Sequence, residues 1–294
     1  MDYSKKIENI SNKLKLKIID SQRFLVYLKI FSFDRILSEY SEPFFDDESS
    51  QFYDFCDSNQ IINLIEFDRN VGTHIMKGVL FFENKFKNIL INNWVEFYQL
   101  SNTKIYNFTD QELMHLMPNI KNCNDLNFQK FRYSLFEYAS TSEFLISYSS
   151  LSDIPIRELS YSWALATAIN FYRTLDTEIQ KNILREMNIP DQFTSIFHKM
   201  MNVILKVRNM IAHNNVIYNF NSRHYRVEFN KIYSSVRRSD SQFDKYISID
   251  KVCSLIDYVN QLSICIDGLN YELRNLSLNN YSKEYVIKLI YGLF

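Results

Sequence analysis

One run of the chain constrains the fold more than any other. From Ile61, apolar residues recur at helical spacing through Ile65, Val71, Ile75, Val79, Phe82, Phe86 and Ile89. Asp57 and Ser58 stand where such a helix would be capped, and no proline interrupts it before Trp94. Gly72 and Gly78 weaken the run slightly and give another helix room to approach. Breakers are scarce throughout. Four glycines and four prolines among 294 residues favour long helices with short connections over an all-β fold.

Hydrophobic residues make up 46% of the chain, enough for a sizeable core, and charged residues 23%, which argues against disorder. No internal repeat of 20–50 residues and no low-complexity linker divides the chain. One all-α domain over residues 1–294 is the simplest reading.

Other elements follow from capping and breaking residues. Residues 5–19 and 20–42 read as two helical segments, with Asp20 or Ser21 capping the second and Pro43 beyond its end. Residues 46–58 read as a loop, and Thr109 to Met117 as a short helix that Pro118 ends. Residues 126–150 read as a helix with Phe128, Phe131, Leu135 and Phe136 inward. A turn at 151–156 leads to a buried helix over 156–174, with Pro155 near its start. Further helices are expected at 177–187 and 191–212, separated by Asn188 and Pro190. The polar stretch 223–246 reads as a hairpin or irregular loop, and helices over 248–274 and 281–292 close the chain.

The net charge is −1, so global electrostatics do not advertise a nucleic-acid binder, although a local basic patch would suffice. Cys56, Cys123, Cys253 and Cys265 form no CxxC pair, which suggests neither a zinc site nor a disulfide framework. Reduced thiols and a polar, charged start fit a cytoplasmic protein. The apolar stretch Leu159 to Tyr172 falls short of the ~20 residues that span a bilayer, so no membrane partner is expected.

The chemistry is carried by Arg208-Asn209-Met210-Ile211-Ala212-His213, of the form R-N-x3-H. In a helix Asn209 and His213 share a face, while Arg208 lies about 140° from His213. Asn214 and Asn215 tolerate left-handed backbone, so a helix end here is plausible. The residue types suit RNA cleavage, in which a 2′-hydroxyl attacks its neighbouring phosphate without a metal-bound water. His213 moves a proton near neutral pH. Arg208 forks onto phosphate oxygens, and Asn209 holds the histidine or donates to the phosphate. The spacing alone is weak. Thirteen arginines and five histidines give about 0.2 such pairs by chance, and the chain holds two. The second is Arg69-Asn70-Val71-Gly72-Thr73-His74, inside the long helix; two pairs could be half-sites folding onto one another, or coincidence.

Four stretches resemble the bacterial Abi (abortive infection) family of phage-defence proteins, AbiD/AbiF-like. They are NKLKLKIIDSQRFLVYLKIFSFDRILSEYSEPFF at 12–45, LIEFDRNVGTHIMKGVLFFENKFKNIL at 64–90, LSDIPIRELSYSWALATAINFYRTL at 151–175 and KVRNMIAHNNVIYNF at 206–220. Arg157 stands where the resemblance expects tryptophan, and His74 where it expects no polar residue. The ending also resembles the HEPN class of all-helical RNases, in the region of about 156–294. The resemblance implies a HEPN-like helical bundle with an N-terminal helical extension. It implies a metal-independent endoribonuclease needing no cofactor, with Arg208, Asn209 and His213 of two chains facing each other in a homodimer. It also implies a toxin held inactive by an antitoxin, such as a small non-coding RNA. Asp68, Arg69 and Glu83 become a family feature, either a buried ion-pair network or a support for the site.

Arg223, Arg226, Lys231, Arg237 and Arg238 form the best local basic patch, suited to guiding RNA, unless Asp240 and Asp244 balance it as a solvated loop. No DNA partner is expected. His115, His198 and His224 have no ligands at metal spacing and read as structural or surface residues. Two other functions stay open. One is a non-catalytic helical RNA-binding module that forms a ribonucleoprotein. The other is a toxin silenced by covalent modification of a nearby tyrosine such as Tyr218.

Overall fold

The computed structural model describes residues 3–100, 108–137, 155–239 and 244–293. The fold is all-α. Its axis is α4, Ser58–Phe97, a 40-residue helix about 60 Å long. Asp57 caps it by accepting the amides of Asn59 at 2.8 Å and Gln60 at 3.1 Å. Burial along α4 runs from Ile61 to Val95 and takes in the expected apolar stripe apart from Ile89, which is half-buried.

Three short helices precede it: α1 (Tyr3–Leu14), α2 (Ser21–Phe31) and α3 (Phe33–Tyr40). The expected segment over 20–42 is divided because Ser32 takes a left-handed φ of 60° and caps α3 through its hydroxyl. Strands β1 (Phe45–Asp46) and β2 (Gln51–Phe52) pair antiparallel before α4. After it come α5 (Asp110–Leu116), held by a Thr109–Glu112 capping box, and α6 (Phe128–Arg132), which continues as a π-helical turn to Glu137. The rest of the helix expected over 126–150 lies outside the described residues.

The segment 156–174 is a 3₁₀ turn at Glu158–Ser162 followed by α7 (Leu165–Thr174), not one helix. Trp163 anchors the break by donating from its indole N–H to the Leu135 carbonyl at 2.9 Å. Then follow α8 (Thr177–Glu186) and α9 (Phe197–Ala212). The stretch expected as a hairpin or irregular loop is instead α10 (Arg226–Arg237). Strands β3 (Asn221–Ser222) and β4 (Ile247–Ser248) pair on either side of it. The segment 248–274 forms α11 (Ile249–Asn260) and α12 (Ile264–Asn275). Gln261 breaks it at a φ of 57°, and Asp257 reaches across to accept the amides of Cys265 and Ile266. Helix α13 (Asn280–Tyr291) closes the chain.

Helices α7, α8, α9, α11 and α12 pack around α4, and the buried cluster runs from Ile10 to Ile290. At Gly78 an added Cβ would lie 2.2 Å from the Cys265 sulfur, so α12 meets bare backbone there. Contacts of Gly72 with Ile211 and of Phe86 with Phe197 lie fourteen residues apart on both helices. Helices α4 and α9 therefore run antiparallel and in step.

Candidate functional site

The R-N-x3-H segment ends α9. The His213 amide still bonds the Asn209 carbonyl at 3.0 Å. Asn214 then turns left-handed at a φ of 56°. Its amide bonds the Ile211 carbonyl at 3.0 Å, and the Asn215 amide bonds the Met210 carbonyl at 2.8 Å. This pair of bonds is a Schellman cap, which satisfies carbonyls the helix would leave open. Asn209 and His213 are exposed on one face. Arg208 is half-buried and donates to the Asn209 side-chain oxygen at 3.3 Å. Its Nε is buried and has no hydrogen-bond partner among the described residues. Arg208 and Asn209 are thus in contact, whereas Arg208 is set well around the helix from His213.

The chain after the cap is gripped by α4 and α3. Buried Asp68 accepts the amides of Ile217 at 2.8 Å and Tyr218 at 2.7 Å through one oxygen. The other oxygen accepts the Tyr40 hydroxyl at 3.0 Å and lies 3.4 Å from Arg69. Burial pushes this carboxyl above its usual range, against the lowering effect of those three donors and of the Arg69 charge. Arg69 also donates to the Tyr40 hydroxyl at 2.5 Å and lies over the Phe31 ring. From α3, Arg35 donates to the Asn214 carbonyl while its Nε bonds Glu39 at 2.7 Å. Sequence reading singled out Asp68 and Arg69 but not Arg35 or Tyr40, which carry no local motif.

The in-step packing of α4 and α9 sets the two R-N-x3-H segments at one level. Their side chains are engaged differently. His74 lies 3.4 Å from Glu272 with its ring against Gly268, and Asn70 donates to Glu272 at 3.2 Å. Together with Arg69 on Tyr40, these residues brace α4 against its neighbours. Glu83 stands fifteen residues along α4 from Asp68, about 22 Å away. It forms a buried pair with Lys87 at 2.6 Å, so it is not brought to the motif.

The basic residues sit on and around α10. Arg223 lies over the Tyr246 ring, 5.0 Å from its centroid, and donates to the hydroxyl at 2.8 Å. That bond lowers the pKa of the Tyr246 phenol. Arg226 donates to the Lys245 carbonyl at 3.3 Å. Lys231, Arg237 and Arg238 are exposed farther along α10 and at its end. Asp244 bonds Lys251 and does not balance the patch, and Asp240 lies outside the described residues. His198, near the start of α9, is held down to about 4 by burial and by the neighbouring Arg173 and Lys199. Tyr218 is fully buried, with its hydroxyl on the Glu39 carbonyl at 3.1 Å. It is therefore not presented for covalent modification.

Among the described residues, no group of three or more His, Cys, Asp or Glu side chains is placed to hold a metal ion. No described helix is long and apolar enough to cross a membrane. Compared with known families, residues 26–219 match the family model described as Abi-like protein. The match includes α4 and the whole of α9 with its cap. No curated protein matches the chain, and no solved structure does.

Proposed function

The chain belongs to the Abi-like protein family, and on that premise we propose that it acts in abortive-infection defence as a metal-independent endoribonuclease. The observation that supports this reading most is the end of α9. There Asn209 and His213 stand exposed on one face, the backbone is fixed by a Schellman cap, and a guanidinium touches Asn209.

In the reaction, the 2′-hydroxyl oxygen attacks the adjacent phosphorus and the bond to the 5′-oxygen breaks. His213 takes the 2′ proton, and an acid returns a proton to the departing 5′-oxygen. The products are a 2′,3′-cyclic phosphate and a free 5′-hydroxyl. Arg208 faces the phosphate oxygens, where charge builds up, and Asn209 donates to the same group. One His213 supplies one proton-moving group, and the chemistry needs two. A second chain facing the first supplies the other, so the active form is a homodimer. A bound small RNA would act as antitoxin by occupying the groups that hold substrate.

The angular separation of Arg208 and His213 within one chain favours a second reading. In it, the pair only grips phosphate, and the protein is a non-catalytic RNA-binding module.

The test uses purified wild type and His213→Ala on labelled unpaired RNA with EDTA present. Wild type is expected to leave 2′,3′-cyclic phosphate ends, and the variant to cut about 10²–10⁴-fold more slowly. Tight binding by both proteins with cutting by neither selects the binding module.

A further inference from the structure

At the start of α10, Arg223, Tyr225, Arg226, Lys245 and Tyr246 line a cavity of about 470 Å³, within the usual size of ligand pockets. Three of these residues are cations. The carboxylate on the wall, Glu228, is already bonded to Lys199 of α9 at 2.7 Å. The stacking of Arg223 on Tyr246 and the bond from Arg226 to the Lys245 backbone fix the walls. Cations beside aromatic rings suit a phosphate joined to a planar base.

The cavity is also tied to the motif. Lys199, Lys206 and His213 are spaced by seven residues, which places them on one stripe of α9. The stripe covers about 21 Å from the Lys199–Glu228 pair to His213. Lys206 lies midway, exposed, with its ammonium 5.5 Å from the Phe220 ring centroid.

We propose that this cavity binds a phosphate-and-base unit of an unpaired RNA strand, and that Lys206 carries the strand along α9 to His213. The span corresponds to about six stacked nucleotides at ~3.4 Å each. The track rests on the reading of His213 as the cutting group; occupancy of the cavity does not.

The test measures fluorescence anisotropy of a labelled unpaired RNA 12-mer at several salt concentrations. The full chain carries His213→Ala throughout, so that the RNA stays intact. Adding Arg223→Ala with Lys245→Ala is expected to weaken binding at least tenfold and to flatten the slope of log K against log salt by about 1.4. Lys206→Ala flattens it by about 0.7, and Tyr246→Ala weakens binding roughly tenfold through lost stacking. Circular dichroism confirms that each variant is folded; should Tyr246→Ala unfold, Tyr246→Leu replaces it. Unchanged affinity and slope in the double variant overturn the cavity assignment. Displacement by millimolar inorganic phosphate as effective as by unlabelled RNA also overturns it, leaving a free-phosphate site. An unchanged slope in Lys206→Ala overturns the track. Absence of cutting by the wild-type chain, with these binding effects intact, defeats the nuclease reading and the track to a cutting group, and leaves the cavity assignment standing.

Discussion

Asp68 joins three parts of the chain through one carboxylate, and the end of α9 depends on that junction. Its partners Tyr40, Ile217 and Tyr218 lie 28, 149 and 150 residues away. Asp68→Ala leaves two buried amides and a buried hydroxyl without their acceptor. It should cost about 2–4 kcal/mol, read as a lower urea midpoint, whereas Asp68→Asn, which keeps an accepting oxygen, should cost less. Equal midpoints for wild type and Asp68→Ala would show that the junction is not stabilising. His198 gives a second expectation. From an ordinary 6.5 it is lowered to about 4 by burial, Arg173 and Lys199, while Asp125 and Glu228 oppose the shift. Between those values the unfolded chain binds a proton that the folded chain does not. Stability therefore falls as pH is lowered through that window. Denaturation midpoints at pH 7 and pH 5 should diverge in wild type and converge in His198→Gln. At this scale the sequence singled out Arg208, Asn209 and His213 as candidates for chemistry, and it pointed to a left-handed helix end at Asn214 and Asn215, which Asn214 supplies. It did not show Arg35, because nothing near that residue hints at a partner 179 positions later.

Elements were legible where periodicity ran long. Helix α4 could be read from its apolar stripe and its Asp57 cap. Helix α10 could not, although Phe229, Ile232, Tyr233 and Val236 stand at helical spacing and face inward. The arginine clusters at its two ends give the stretch the polarity of a loop and mask that stripe. The left-handed residues Ser32 and Gln261 divided helices without a glycine to announce them. The glycines of α4 offer a test of how the elements meet. At Gly72 an added Cβ would find Ile211 at 3.5 Å, an ordinary contact, while at Gly78 it would find the Cys265 sulfur at 2.2 Å. Gly72→Ala should therefore stabilise by about 0.5–1 kcal/mol through helix propensity. Gly78→Ala should destabilise by about 1–3 kcal/mol through overpacking. Thermal midpoints moving in the same direction for both would contradict this account of the α4–α12 contact.

For the whole molecule, the scarcity of glycine and proline already indicated the all-α class, and the architecture is a set of helices around one long axis. How two chains would meet is not written in periodicity, because a helical stripe marks the face buried in the chain's own core. The homodimer proposed above is open to a mixing experiment. If each cut needs His213 from both chains, an equal mixture of wild type and His213→Ala after subunit exchange retains about one quarter of the wild-type activity. Independent chains retain about one half.

The grip on the end of α9 also has an order in time. A ribosome releases the chain from its N-terminus, at about 5–20 residues per second. Arg35 and Asp68 emerge early and wait for Asn214, Ile217 and Tyr218. Some 150 residues separate Asp68 from Tyr218, about 8–30 s of synthesis. Throughout that interval the motif is either unmade or unanchored. The nascent chain therefore completes most of its length before the end of α9 acquires a fixed shape.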